Sequence, residues 1–350
     1  MATMNIDAVA ADLHRFVHAH YGPHCSVEAL KVMEAGHAGL TFGFRVVDRA
    51  AAATRAQLIL KLSPPGVRRA GNTDVYRQAP LLRALHRAGL PVPDVPWAGA
   101  DEDAFGTPFV MMQFLPGQPF FVWQPDASFD LAPRAVAALW QQCIDALARL
   151  HRFDWRRHLP DWQAPCALRD EIGRWSPILA KSPEPPWIEA GLRTRERLLA
   201  TLPSDAPVGL VHGDYQPGNV LYDGGRLSGV IDWELASIGG RLLDVGWLMM
   251  LADRQSWHAG WNPLCPLSPD AVAARYEQAM GEPQADLAWY QALAGYRLGA
   301  ISCLNVHLHR SGRRPDAIWE RFALAIPALF ARAASILEGE GVQGRAGGRR

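Results

Sequence analysis

Apolar and polar positions recur with two different periods along this chain, and the change of period divides it. Residues 5–20 space their apolar side chains three and four apart, which predicts an amphipathic helix. SVEALKVMEAGHAGLTFGFRVVD (26–48) predicts two strands around a glycine-containing turn, Gly36 to Gly43. AAATRAQLILKLSPP (51–65) predicts a third strand with Lys61 near its end. DVYRQAPLLRALHRAGL (74–90) returns to helical period and stops at Gly89 before PVPDVP. GTPFVMMQFLPGQPF (106–120) is a buried strand run that ends at Pro116 and Gly117, a predicted hinge.

Beyond the hinge the period is helical. Helices are predicted over 133–154, 189–202, from 242, and over 270–280, 285–311 and 315–338, with SPEPPW (182–187) as a loop. Two short stretches interrupt them, LVHGDYQPGNVLY (210–222) and GVIDWELASIGG (229–240). Each sets polar residues between apolar runs. Unpaired burial costs about 1–3 kcal/mol per polar group, so those residues need partners or a task. The pattern predicts an α+β protein: residues 1–117 as a small antiparallel sheet with one helix, 118–338 as a larger, mainly helical part, and 339–350 as a disordered tail.

Composition narrows the function. Lys+Arg and Asp+Glu balance at 35 each, which argues against a nucleic-acid partner. Only Lys31, Lys61 and Lys181 are lysines, so a strand lysine draws notice. The five cysteines, Cys25, Cys143, Cys166, Cys265 and Cys303, form no C-x-x-C pair. That fits a reduced, cytoplasmic setting. The N-terminus lacks the basic-then-apolar pattern of a signal peptide, and no apolar run approaches the ~20 residues of a membrane helix.

The chemistry-bearing residues come in a definite order. A glycine-containing turn (Gly36, Gly39) precedes a strand lysine, Lys61; Asp214 and Asn219 follow five residues apart; Asp232 ends the next apolar run. This is the order of parts in kinase-type phosphoryl transfer, in which a loop covers the phosphates and a strand lysine pairs with them. A catalytic-loop Asp then takes the hydroxyl proton, while an Asn and a second Asp hold magnesium. Triphosphate needs a fixed cation and Mg²⁺ to offset its charge, and Mg²⁺ takes oxygen donors.

HGDYQPGN with IDWE resembles the aminoglycoside phosphotransferase family in its wider sense, which includes choline kinases. LPVP (90–93), GTPFVMM (106–112), LARLHRFDW (147–155) and Arg174–Trp175 resemble in particular the kinase-like domain of acyl-CoA dehydrogenase 10/11-type proteins. The resemblance spans residues 25–335 and implies a two-lobed protein-kinase-like fold using ATP and Mg²⁺. It implies Asp214 as catalytic base, Asn219 and Asp232 as magnesium ligands, and Lys61 on the α- and β-phosphates. Adenine would meet backbone groups of Gln113 and Leu115, with Met112 behind the base.

The chain departs from the family in three places. Gln78 stands where a glutamate would pair with Lys61. Gly239–Gly240–Arg241 replaces a GDP turn, and EAGHAGLTF is poor in Gly and Ser. His212 is expected to be structural, and Asp244 to brace a loop or a helix start. Lys61 read alone would be a snorkelling surface lysine. The implied acceptor is a small hydroxylated molecule. Residues 251–350 carry eleven Arg against nine Asp and Glu, which suits an apolar hydroxylated compound or a hydroxyacyl-CoA better than a polycationic aminoglycoside. A nucleotide-binding pseudokinase without turnover is the alternative from another class.

Overall fold

Leu58, Leu60 and Leu62 point one way from their strand, and this alternation fixes the sheet that carries Lys61. The computed structural model of the protein describes residues 6–33, 40–64, 66–67, 69 and 71–339. Gly36, Gly39 and the tail 340–350 therefore lie outside the described residues. The chain forms two units, Met1–Gly117 with Arg156–Trp162 and Ser228–Leu235, and the remainder. Two later segments thus group with the first unit, which a division by chain order alone does not include.

In the first unit, α1 (Ile6–Tyr21) packs Leu13 and Val17 into the same core as the strand side chains. Strands β1 (Cys25–Val32), β2 (Leu40–Asp48) and β3 (Ala53–Leu62) follow. Helix α2 (Gln78–Arg87), β4 (Trp97–Gly99) and β5 (Phe109–Gln113) complete the unit, with the sheet ordered β1-β2-β3-β5-β4 and antiparallel throughout. Phe42, Phe44, Leu58, Leu60, Leu62 and Met111 bury together in the core. Lys61, one residue out of phase with Leu60 and Leu62, belongs to the other face and sits between Thr41 of β2 and Val110 of β5. The helix predicted from residue 74 begins only at Gln78. Pro80 lacks an amide hydrogen and fits only the first turn of a helix, and the N–H of Val75 is tied to Ser63 Oγ at 3.3 Å. The two returning segments are fastened to this unit. Val230 N–H donates to Pro91 O at 2.7 Å, and the Trp162 indole N–H donates to Arg77 O at 2.8 Å.

The second unit starts with β6 (Gln118–Pro119) and α3 (Pro133–His151). The short helix α4 (Trp155–His158) follows in sequence, with Arg156–His158 belonging to the first unit, and α5 (Leu168–Gly173) and α6 (Ser176–Leu179) then lead to α7 (Pro185–Ala200). Arg174 and Trp175 thus lie at the break between α5 and α6, not inside one helix. Helix α7 starts inside the predicted SPEPPW loop because Pro185 and Pro186 occupy its first turn, where a missing N–H costs nothing. Strands β7 (Val208–Val211), β8 (Val220–Asp223), β9 (Arg226–Val230, from Ser228 on in the first unit) and β10 (Ser237–Gly240) flank the two polar stretches, and β10 runs antiparallel to β7. Helices α8 (Leu243–Ala252), α9 (Pro269–Met280), α10 (Leu287–Arg310) and α11 (Ile318–Leu337) close the chain. Every residue of α8 is buried. It crosses α10 backbone to backbone, because a Cβ on Gly246 would stand 2.3 Å from the carbonyl carbon and oxygen of Tyr290. Among the described residues, no helix is long and apolar enough to cross a membrane.

Candidate active site

In the second unit the HGD segment leaves β7 in a turn that needs φ of +89° at Gly213, a conformation open to glycine without a Cβ clash. The turn is held from behind by Asp244, in the first turn of α8 and 1% exposed. Its two carboxylate oxygens accept the backbone N–H groups of His212 at 2.7 Å and Gly213 at 2.9 Å. Asp244 therefore braces the loop, as expected. Burial by itself raises its pKa. The hydrogen bond and charge of His151, with help from His212 and the Gly213 N–H, outweigh that and hold the carboxyl below its usual value. His212 is buried, and its Nδ1 accepts the N–H of Asp214 at 3.3 Å, which is a structural role.

Asp214 follows, its carboxylate gripped by two side-chain amides. Gln216 Nε2 donates to Oδ1 at 2.9 Å and Asn219 Nδ2 donates to Oδ2 at 3.0 Å. Asn219 Nδ2 gives its other hydrogen to Asp214 O at 2.8 Å. Both amide hydrogens of Asn219 are spent on Asp214, so its Oδ1 remains as an oxygen donor. A 3₁₀ turn at Pro217–Asn219 sets this geometry, closed by Asn219 N–H on Gln216 O at 2.8 Å. Gln216 is a partner that sequence reasoning could not separate from packing. Tyr215 is core: it is fully buried and its hydroxyl donates to Cys143 O at 2.7 Å.

In the first unit, Lys61 Nζ lies 3.3 Å from Asp232 Oδ1, with the side chains 13% and 29% exposed. One hundred and seventy-one residues separate them in sequence. Asp232 has φ of +64°, a left-handed conformation that Asp tolerates better than most residues. The Trp233 indole anchors the next turn on Val230 O at 3.0 Å. Gln78, expected beside Lys61, is buried at the start of α2. Among the described residues no hydrogen bond joins it to Lys61, whose partner is Asp232 instead. The shift of α2 to Gln78 moves this residue into the helix's first turn. Along β5, Met112 is buried and faces Ile59 of β3. Gln113 gives its N–H to Asp94 O at 2.8 Å. The N–H of Leu115 has no partner among the described residues, so of the two hinge amides it is Leu115's that is open.

Asn219, in the second unit, offers an amide oxygen and Asp232, in the first, a carboxylate, and each is the kind of hard oxygen donor that Mg²⁺ takes. Gly240 stands in place of the aspartate of a GDP turn, and Arg241, in place of its proline, points its Nη1 to His151 O at 3.3 Å and its Nη2 to Gln284 Oε1 at 3.4 Å. It stabilises the end of β10 and supplies no acidic group there.

An antiparallel sheet bearing a strand lysine, followed by a helical unit with an Asp–Asn turn, is the architecture of a kinase-like phosphotransferase. The chain belongs to the phosphotransferase enzyme family, whose model matches residues 38–296. It is 25% identical over 225 residues to mouse acyl-CoA dehydrogenase family member 10, covering 61% of this chain and 19% of that protein. It is 28% identical over 295 residues to Arabidopsis thaliana IBR3, provisionally named an acyl-CoA dehydrogenase, covering 77% and 35%. The chain thus spans about a fifth to a third of these relatives. Two solved structures share the fold. One is a provisionally named aminoglycoside phosphotransferase of Ralstonia eutropha, with a TM-score of 0.72, 20% identity and coverage of 96% and 99% of the two chains. The other is a thermostable mutant of APH(4)-Ia in ternary complex with AMP-PNP and hygromycin B, at 0.61, 18%, 95% and 100%.

Proposed function

We propose that the protein transfers the γ-phosphoryl group of ATP to a hydroxyl of a small molecule, with magnesium. The observation that carries this reading is the grip on Asp214: two amides fix its carboxylate while Asp244 fixes the turn beneath it. Such a carboxylate is set up to orient an alcohol and take its proton, because it needs no reorganisation at the moment of reaction. Lys61 would meet the α- and β-phosphates, and the open N–H of Leu115 would meet the adenine edge with Met112 against the ring. Asn219 and Asp232 would hold the magnesium, which supplies charge neutralisation to the phosphates when bound. The AMP-PNP complex of a protein with the same fold supports nucleotide use.

For the acceptor we favour an apolar hydroxylated compound, a hydroxyacyl-CoA among them. The acyl-CoA dehydrogenase names of the two relatives support it, as does the absence of acidic excess in residues 251–350. An aminoglycoside is the alternative that the hygromycin complex suggests. The test is a melting curve with ATP, with and without Mg²⁺, followed by ADP release across a panel of hydroxylated metabolites. Ligand at a hundredfold excess over Kd should stabilise by about 2.7 kcal/mol. A melting temperature unmoved by saturating Mg-ATP would sink the proposal.

A further inference from the structure

Arg297 lies in the middle of α10, 3% exposed, in the same unit as Asp214. Its guanidinium lies over two indoles, with Cζ 4.7 Å from the centre of Trp175 and 5.3 Å from that of Trp247. Contacts of this kind engage the cation without using its N–H groups, so bonding capacity remains along the edge that carries them. That edge is unused. Nε is buried without a partner, the nearest carboxylate oxygen, Glu171 Oε1, is 4.0 Å away, and no hydrogen bond leaves the guanidinium among the described residues. Glu171 itself is engaged elsewhere, by Arg174 and the Trp175 indole, both at 2.9 Å.

A half-buried arginine that serves the fold looks different in this same unit. Arg332 bonds Asp253 at 2.7 Å, and Gln291 bonds the same carboxylate oxygen at 2.7 Å. Leaving buried donors unpaired is costly, and more so for a charged group. Arg297 keeps that cost in place. Trp247, over which it lies, follows Asp244 by one turn of α8, and Asp244 is the carboxylate that holds the turn presenting Asp214. Burial pushes the Arg297 pKa below the ordinary arginine value, and the charges of Glu171 and then Asp214 act against that.

We propose that Arg297 is the receptor for an anionic group, a carboxylate, on the acceptor whose hydroxyl Asp214 activates. This rests on the kinase reading and sets a different acceptor beside the apolar one favoured above: a hydroxylated molecule with a free carboxylate, not its CoA thioester. A carboxylate in the guanidinium plane can take two parallel N–H bonds, which satisfies the idle edge and fixes the acceptor's orientation. Trp175 and Arg174, at the break between α5 and α6, gain a role in this arrangement: one roofs the cation, and the other holds Glu171 away from it.

The test uses the whole chain and two probes that differ only in charge, 4-hydroxybutanoate and 4-hydroxybutanamide, titrated calorimetrically with and without Mg-ADP. Wild-type protein should bind the acid at least about tenfold more tightly than the amide, as a bidentate charged pair implies. Arg297→Met should erase that preference, and Arg297→Lys should keep part of it. Affinity for Mg-ATP, measured on the same preparations, should be unchanged. Failure to bind the acid, equal binding of acid and amide by the wild type, or a preference that survives in Arg297→Met overturns the proposal. So does a Met variant that loses its discrimination of ATP over ADP, which would assign the cation to the transferring phosphoryl group. If Arg297→Met does not fold, the wild-type comparison and Arg297→Lys decide. Loss of Mg-ATP binding in the wild type would instead defeat the kinase reading, and the acid-against-amide comparison without nucleotide is read separately.

Discussion

Asp244 accepts the backbone N–H of His212 at 2.7 Å from 32 residues further along the chain, and its other oxygen takes the next N–H, that of Gly213. The start of α8 thereby holds the turn that presents Asp214. Removing the carboxylate leaves two buried donors unpaired, at about 1–3 kcal/mol each. Asp244→Ala is expected to destabilise by about 3 kcal/mol or more and to lower phosphoryl transfer through the loosened turn. Urea unfolding of the purified variant reads this, and a loss below about 0.5 kcal/mol, the usual range of surface substitutions, would remove Asp244 from the role.

The same carboxylate has a neighbour that titrates. His151 Nδ1 lies 2.7 Å from the Tyr276 hydroxyl and Nε2 lies 3.4 Å from Asp244 Oδ2. Burial pushes the His151 pKa down; Asp244 opposes this, and Arg241 adds to it. Folded His151 is therefore neutral in a range where the unfolded chain binds a proton. Its stability contribution is complete above the unfolded value of about 6.5 and falls as pH drops below it, by at most about 1.4 kcal/mol per pH unit. Asp244, with its own lowered pKa, adds a second loss only below the usual carboxylate range. Unfolding free energies compared at pH 7.5 and 5.5 should fall more in the wild type than in His151→Gln. Equal falls would show that another group carries the acid sensitivity.

Periodicity carries far in this chain because most of its elements bury one face. The alternation at Leu58, Leu60 and Leu62 sets Lys61 on the opposite face of β3, and the helices at 133–151, 269–280 and 318–337 follow their apolar spacing. What periodicity cannot show is which distant groups meet. The pairing of Lys61 with Asp232 spans 171 residues, and no hydrogen bond joins Gln78 to that lysine among the described residues. Helix starts shifted where proline, rather than the apolar pattern, decides the first turn, as at Pro80 and Pro185. Strand β10 hid in SIGG, where pairing with β7 overrides the low strand preference of glycine. Arg297 left a trace that the sequence reading passed over: a lone cation in GYRLGA, inside a helix apolar on every side.

Gly246 makes a sharper claim about packing. A Cβ there would meet Tyr290 C and O at 2.3 Å and Gln291 N at 2.8 Å, all backbone atoms that cannot swing aside. Gly246→Ala gains helix propensity but must force α8 and α10 apart. Overpacking of a core costs about 1–3 kcal/mol and at times more, which exceeds the roughly 1 kcal/mol that alanine gains over glycine in a helix. The variant should melt well below the wild type in a thermal scan. An unchanged or raised melting temperature would mean that the two helices can separate without loss.

The contrast between Asp214→Asn and Asp232→Asn tests the division of labour. Asn at 214 keeps an oxygen for an amide of Gln216 or Asn219, so the turn should stay intact while the base is lost. Phosphoryl transfer should fall by about 10²–10⁴-fold, or roughly 3–5 kcal/mol of barrier, with Mg-ATP affinity nearly unchanged. Asn at 232 accepts the left-handed backbone that alanine would strain, and it removes the charge opposite Lys61. That variant should lose Mg-ATP affinity as well as turnover. Circular dichroism on both variants excludes unfolding. Until the acceptor is known, slow hydrolysis of ATP to water serves as the readout, since the same base would orient the attacking water. If Asp214→Asn hydrolyses ATP at the wild-type rate, Asp214 is not the base, and a nucleotide-binding protein without turnover becomes the better reading. If Asp232→Asn instead binds Mg-ATP as tightly as the wild type, the metal does not rest on Asp232, and its pairing with Lys61 is structural.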